Sequence, residues 1–230
     1  MKKSDMLAIL YLAACAAVVA LFPWQVSKEG VISWGYDLYG NGVLNFGAMS
    51  KAHPFLMGFL KVAFLATFGE MIKIRGKTGS YQISHIGIRF CVWGFYGIMF
   101  SLAFPLFDAG VKGLINAGLW FGTTAPASFE GKLLFAFSCS FLINMVFAYP
   151  MMLSHEWFNA VIAKKRLVGG GEFLDGIDKH LWGSFIPKSI IVFWIPAHTV
   201  TFSLPGEYRI LMAAALSVAL GFLLTLKPKK

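Results

Sequence analysis

The chain has 230 residues, 57% of them hydrophobic and only 13% charged, against about 25% charged in an average soluble domain. Its mean hydropathy is +0.68. Twenty basic and 11 acidic residues cannot give so apolar a chain a water-facing skin, which excludes an ordinary soluble domain and makes lipid the solvent for much of the surface. The net charge of +9 reads as basic cytoplasmic loops rather than as a nucleic-acid footprint.

A span of the hydrocarbon core needs roughly 17–25 apolar residues, and six stretches supply them: 6–22, 54–72, 83–107, 133–153, 184–200 and 210–226. The expected fold is an all-α polytopic membrane helix bundle, one integral membrane domain over 1–230. The first stretch follows Lys2 and Lys3, but no clean A-x-A site ends it, so it reads as a retained helix rather than a signal peptide. Residues 23–53 read as a long outside loop whose Trp24, Trp34, Tyr36 and Tyr39 suit the headgroup level. Residues 108–131 read as a second outside segment. On the inside, 154–183 reads as interfacial: apolar residues at 157, 158, 161 and 162 share a helix face, Gly169–Gly171 should break the helix, and Phe173, Leu174, Ile177 and Leu181 form a second stripe. With the N-terminus cytoplasmic, twelve basic residues fall inside and four outside, so both termini are expected on the cytoplasmic side.

Cys15, Cys91 and Cys139 lie inside apolar runs and read as buried free thiols. For close helix contacts, Ala13/Ala17 and Ala16/Ala20 are the candidates. Gly118-x-x-x-Gly122 lies outside any span, so its spacing carries no packing meaning.

A charge at the centre of a span costs about 2.5–3.5 kcal/mol on insertion scales, so immersed ionic groups should face a partner or a wet cavity. Lys61 and Glu70 are nine residues apart, on opposite helix faces and about 13 Å apart along the axis. They cannot pair. His85 and Arg89 are four apart and should share a face. Glu70 and Arg89 come from opposite ends of neighbouring spans to similar depth, which suggests an ion pair, either a lock between helices or a gate; separate snorkelling to the headgroups is the other possibility. Asn144 is at the depth of Lys61, and a Lys61–Asn144 contact, with Ser138 and Ser140 nearby, would make a water-lined path or a sealed interhelical bond. In the weakest span, Pro187 and Pro196 each remove a backbone donor, Lys188 is charged, and His198 with Thr199 and Thr201 makes a polar patch. Arg209 stands at the edge of the last span. The pore or gate candidates are therefore Lys61, Glu70, His85, Arg89, Asn144, Lys188, His198 and Arg209.

No HExxH, GxSxG or GxGxxG occurs, and Gly76-Lys77-Thr78 lacks the upstream glycine of a phosphate loop because position 71 is Met. No catalytic or metal site and no cofactor are expected. His155, Glu156 and His180 at the inner interface are the only acid–base set that a lipid-acting enzyme could use.

His53-Pro54 opens the second span and Gly69-Glu70 closes it; Gly94 and Gly97 mark the third; Trp194-x-Pro196, Phe202 and Pro205-x-x-x-Arg209 precede the last. Over residues 50–226 this resembles the Mpv-seventeen family of small mitochondrial and peroxisomal integral membrane proteins, with His-Pro, a Gly-Asp helix end and a C-terminal Trp-Pro … Asn-Phe … Pro-x-x-x-Arg signature. Ile195 separates Trp from Pro here, and Thr201 stands where the family has Asn. The resemblance implies a cofactor-free channel or pore for small solutes, with Glu70 at the acidic helix end and Pro205 and Arg209 at the C-terminal turn. The expected function is thus a channel or transporter-like protein for a small-molecule or ionic solute. A non-conducting scaffold is the alternative, and a lipid-acting enzyme a more distant one. The expected partners are the lipid bilayer and the solute, without nucleic acid, and a homo-oligomer stays open. The positive-inside bias and absence of a transit peptide suit a prokaryotic plasma (inner) membrane better than an organelle.

Overall fold

The computed structural model describes residues 3–21, 24–26, 32–34 and 42–225, with side chains over 4–20 and 46–222. Tyr36 and Tyr39 lie outside the described residues. The helices are α1 (Lys3–Leu21), α2 (Gly42–Ala52), α3 (Pro54–Thr78) and α4 (Ile86–Asn116), then α5 (Phe129–Lys164), α6 (Gly170–Gly176), α7 (Leu181–Ser203) and α8 (Gly206–Thr225). Residues Trp24–Val26 and Ile32–Trp34 pair as a short antiparallel ribbon with Trp24 opposite Trp34.

Four helices, α3, α4, α5 and α7, are long and apolar enough to cross a membrane; α1 is apolar over the shorter stretch Ser4–Ala20. Their surface is that of an inverted soluble protein. Phe64, Phe95, Leu102, Leu106, Val146 and Val192 are exposed, while Lys61, Ser101, Ser138, Ser140, Asn144 and Thr201 are buried. Polar groups turn inward and apolar ones outward, as lipid requires.

α3 is the central helix. Glycines let it approach neighbours on two sides. Gly58 meets Gly97 of α4 backbone to backbone, and Gly69 meets the Ser217 carbonyl of α8 while Gly221 meets the Gly69 carbonyl. Gly97/Ser101 and Ser217/Gly221 are both small-x-x-x-small pairs, the spacing that brings helices closest in lipid. The expected contact alanines of α1 are not used: Ala13, Ala16, Ala17 and Ala20 are exposed. α4 runs antiparallel to both α3 and α5, since Arg89 meets Glu70 and Asn159 at one end while Ser101 and Lys112 meet Pro54 and Phe135 at the other.

The expected segment boundaries shift, and the third span does not stop at Phe107 but runs on to Asn116. The outside loop contains α2. The fourth span does not stop at Leu153 but continues as one helix to Lys164, because nothing between them breaks a helix. The Gly169–Gly171 run does not end that helix; Lys165, at φ 54°, does, and Gly170 opens α6. Of the three thiols only Cys139 is buried; Cys15 is half-buried and Cys91 exposed.

Glu172 of α6 accepts hydrogen bonds from Lys164 (2.5 Å) and Arg166 (2.6 and 2.9 Å). The Arg166 guanidinium first, and then the Lys164 ammonium, hold its carboxyl down at about 2. A carboxyl lowered in the folded state contributes stability above its ordinary value near 4.5 and loses it as pH falls toward the lowered value. The clasp of α6 onto the end of α5 is therefore expected to hold at pH 4 and to release only near pH 2. A carbon-13 carboxyl titration of Glu172 checks this, and a midpoint near 4.5 would refute it. Both partners are solvent-exposed, so high salt should weaken the clasp.

Candidate functional site

Three short π turns shape the interior: Asn144–Ala148 in α5, and Leu181–Phe185 and Ile190–Trp194 in α7. Each ends two residues before a proline, respectively Pro150, Pro187 and Pro196. A proline inside a helix has no N–H and its ring strikes the carbonyl four residues back; a wider turn just upstream relieves that clash and keeps the helix continuous. The expected disturbance of the fifth span thus takes the form of π turns in an unbroken helix. The turn at Asn144 aims that side chain inward, where it is 1% exposed.

Inside the bundle, α3, α4, α5, α7 and α8 enclose a cavity of about 320 Å³. Glu70, Lys73, His155, Glu156 and Asn159 lie at one end of its lining, and Lys73 is exposed at the rim. Asn144 and His198 lie at the other end, with Trp93, Phe100, Phe147 and Trp194 along the walls. Asn144 and His155 are eleven residues apart on one helix, so the cavity runs about 16 Å along the bundle.

The charged mouth is a network. Arg89 donates to Glu70 (3.1 Å), to the Asn159 amide oxygen (2.9 Å) and, through Nε, to the Ser84 carbonyl (3.0 Å). Asn159 in turn donates to Glu156 (3.1 Å). His155 Nε2 stands 3.5 Å from Glu70, and the imidazole lies against Trp93 with centroids 4.2 Å apart. Asn159 satisfies Arg89 with its oxygen and Glu156 with its amide hydrogens, so one residue orders both charges. The expected Glu70–Arg89 pair is present.

At the inner end, Asn144 Nδ2 donates to the Ser140 carbonyl (2.8 Å) and toward His198 Nδ1 (3.1 Å). Asn144 Oδ1 and Trp93 Nε1 are buried without a hydrogen-bond partner among the described residues. A buried polar atom left unpaired costs about 1–3 kcal/mol, and both of these belong to residues that line this cavity.

A second cavity, of about 460 Å³, lies at the opposite end of the bundle and is lined by Ser50, Lys61, Asp108, Glu207 and Arg209 among others. Lys61 belongs here. It donates to Ser50 (2.7 Å) and to the Glu207 carbonyl (3.0 Å), and its ammonium sits 4.9 Å from the Phe46 ring. The expected Lys61–Asn144 contact does not form, because Lys61 points toward α2 and the start of α8 while Asn144 points toward α7. Arg209 pairs with Asp108 (2.8 Å) and donates to the Leu204 and Phe202 carbonyls; Lys112 adds a second cation to Asp108 (2.6 Å).

Phe104 alone among the described residues lines both cavities. Its ring is 3% exposed, edge-on to His198 at 6.1 Å and tilted against Phe202 at 5.2 Å. Pro105 follows it inside α4.

The remaining expected residues fall outside both cavities. His85 does not share a helix face with Arg89: it precedes α4 in a left-handed conformation, φ 55°, and is exposed. Lys188 is exposed too. Ser138 bonds back to the Leu134 carbonyl and Ser140 to the Ile195 carbonyl across to α7; Thr199 and Thr201 bond to carbonyls of their own helix. His180 is exposed, apart from His155 and Glu156 at the mouth. No group of three His, Cys, Asp or Glu among the described residues could hold a metal ion. Phe104, Asp108 and Asn159 are residues of these cavities and their networks that the sequence did not single out. Comparison of the chain with protein-family models, with curated proteins and with solved structures finds no match.

Proposed function

We propose that the chain is a six-span, non-catalytic membrane protein that passes a small solute between the cavity at the Glu70 end and the cavity at the Arg209 end. One observation carries this reading: two cavities, each with charged residues in a largely apolar lining, share a single lining residue, Phe104. Adding α1 and α8 to the four long apolar helices gives the six crossings. Asp5 of α1 pairs with Arg75 and Gly221 of α8 meets Gly69, so the start of the first helix and the end of the last share the Glu70 end, as an even number of crossings demands. Arg75 and Lys77 in the last turn of α3, and Lys164, Lys165 and Arg166 at the end of α5, lie there, which supports a cytoplasmic assignment for that end and a prokaryotic-type plasma membrane. The resemblance to Mpv-seventeen proteins supports the same function, with Glu70 in the mouth network and Arg209 at the turn into α8.

A non-conducting scaffold is the second reading, favoured by the closed ring at Phe104 and by the ion pairs of Arg89 with Glu70 and Arg209 with Asp108. The two readings part in a vesicle assay. In a variant lacking the three native cysteines, Met151→Cys places one thiol on the cavity lining. Proteoliposomes are expected to release a small neutral tracer such as glycerol faster than protein-free vesicles, and alkylating Cys at position 151 should suppress that release. Release no faster than from empty vesicles rejects transport and leaves the scaffold.

A further inference from the structure

The inner end of the cavity between α3, α4, α5, α7 and α8 specifies what can bind there. The orientation of the Asn144 amide is fixed, because Ser140 O can only accept, so Nδ2 must face it (2.8 Å). The second Nδ2 hydrogen then goes to His198 Nδ1 (3.1 Å), which makes Nδ1 an acceptor and leaves the imidazole neutral with its proton on Nε2. Ser140 Oγ is committed to the Ile195 carbonyl (2.7 Å) and cannot donate to the amide. Asn144 Oδ1 is thus an unpartnered acceptor on a side chain 1% exposed, and His198, which lines the same end of the cavity, carries a ring N–H. The pair offers one acceptor and one donor, and no charge.

The walls are aromatic. Trp194 lies 5.4 Å from the His198 ring and Phe104 closes the end at 6.1 Å. The acidic and basic lining residues, Glu70, Lys73 and Glu156, are about 16 Å away at the mouth. An ion moved to the inner end would shed its water and meet no opposite charge, which is costly in a low-dielectric interior. A neutral molecule that both donates and accepts a hydrogen bond would satisfy Asn144 and His198 and cover the aromatic walls. About 320 Å³ is within the size of small-molecule sites.

We propose that the Asn144–His198 end of this cavity is a binding site for an uncharged small molecule that carries a hydrogen-bond donor and acceptor on an apolar, ring-sized body, such as a primary aromatic amide. This names the solute class for the transport reading and rests on it only in taking the cavity as the solute site.

Three near-isosteric probes separate charge from shape: benzamide, benzoate and benzamidinium. Binding to the full chain in nanodiscs at pH 7 can be read from the tryptophan fluorescence, since Trp93, Trp182 and Trp194 line the cavity. Benzamide is expected to bind saturably and at least about tenfold more tightly than either ion, a difference of about 1.4 kcal/mol. Asn144→Leu and His198→Phe should each weaken benzamide at least about tenfold without strengthening the ions. The charge series on the unmodified protein needs no variant, so a misfolded Asn144→Leu does not blunt the test. Equal or tighter binding of benzoate or benzamidinium overturns the proposal, as does failure of all three to bind. Benzamide binding with no vesicle release rejects transport but keeps this site; release with binding indifferent to charge keeps transport and rejects this site.

Discussion

Replacing Phe104 with alanine is expected to join the two cavities and raise the release of small neutral solutes from proteoliposomes by an order of magnitude or more. The ring is the common wall of both cavities, and truncation removes it without supplying a replacement. Neighbouring side chains cannot readily fall into the gap. Phe202 is held against Arg209, 5.2 Å from ring to guanidinium, and His198 is held by Asn144. The substitution also loses apolar burial, and large-to-small changes of a buried Phe cost about 3–5 kcal/mol, so a raised leak could reflect loosening rather than an opened path. Phe202→Ala separates the two causes. Phe202 is equally buried, at 3%, and touches Phe104, but it lines neither cavity. It should lower the melting temperature by a similar amount and leave release unchanged. Phe104→Trp should keep the wall closed. If Phe104→Ala and Phe202→Ala leak alike, Phe104 is packing and not a barrier.

The parts of this arrangement that sequence could and could not supply divide along a physical line. Hydropathy and helical rise give depth, so Glu70 and Arg89, counted from opposite ends of adjacent helices, could be matched and do pair. Depth does not give the face of a helix that meets a given neighbour. Depth alone pairs Lys61 with Asn144, yet Lys61 turns to Ser50 of α2, a helix within residues that read as a loop. His155 and Asn159 were placed in an interfacial segment because apolarity fades after Leu153. Their polarity is tolerated there because Glu70 and Arg89 stand opposite. Asp108 was cut off by ending the third span one residue earlier, although Arg209 and Lys112 neutralise it. The prolines are a legible signal: Pro187 and Pro196 mark a disturbed helix, and Pro150 obeys the same rule two residues after the turn that begins at Asn144.

Opposite signs are expected for one substitution made at two glycines of the same helix. At Gly97 a methyl group would strike the Gly58 carbonyl, and the obstruction is backbone on a helix that is also pinned to α8 at Gly69. Nothing flexible can yield, so Gly97→Ala must push α3 from α4 and drag apart both the Glu70–Arg89 pair and the cavity wall between them. Overpacking of this kind costs about 1–3 kcal/mol. Gly113, also inside α4, has nothing within 4 Å of the corresponding position. Gly113→Ala removes only the conformational freedom that a helical glycine loses on folding, and should stabilise by about 0.5–1 kcal/mol. Thermal unfolding in one detergent checks both, with Gly97→Ala melting below the unmodified protein and Gly113→Ala at or above it. Gly97→Ala should also weaken benzamide binding, since Trp93, Phe100 and Phe104 of α4 line the cavity, whereas Gly113→Ala should not. A Gly97→Ala protein that melts with the unmodified one would mean that α3 and α4 do not meet at these glycines, and with that contact would go the placement of the cavity between them.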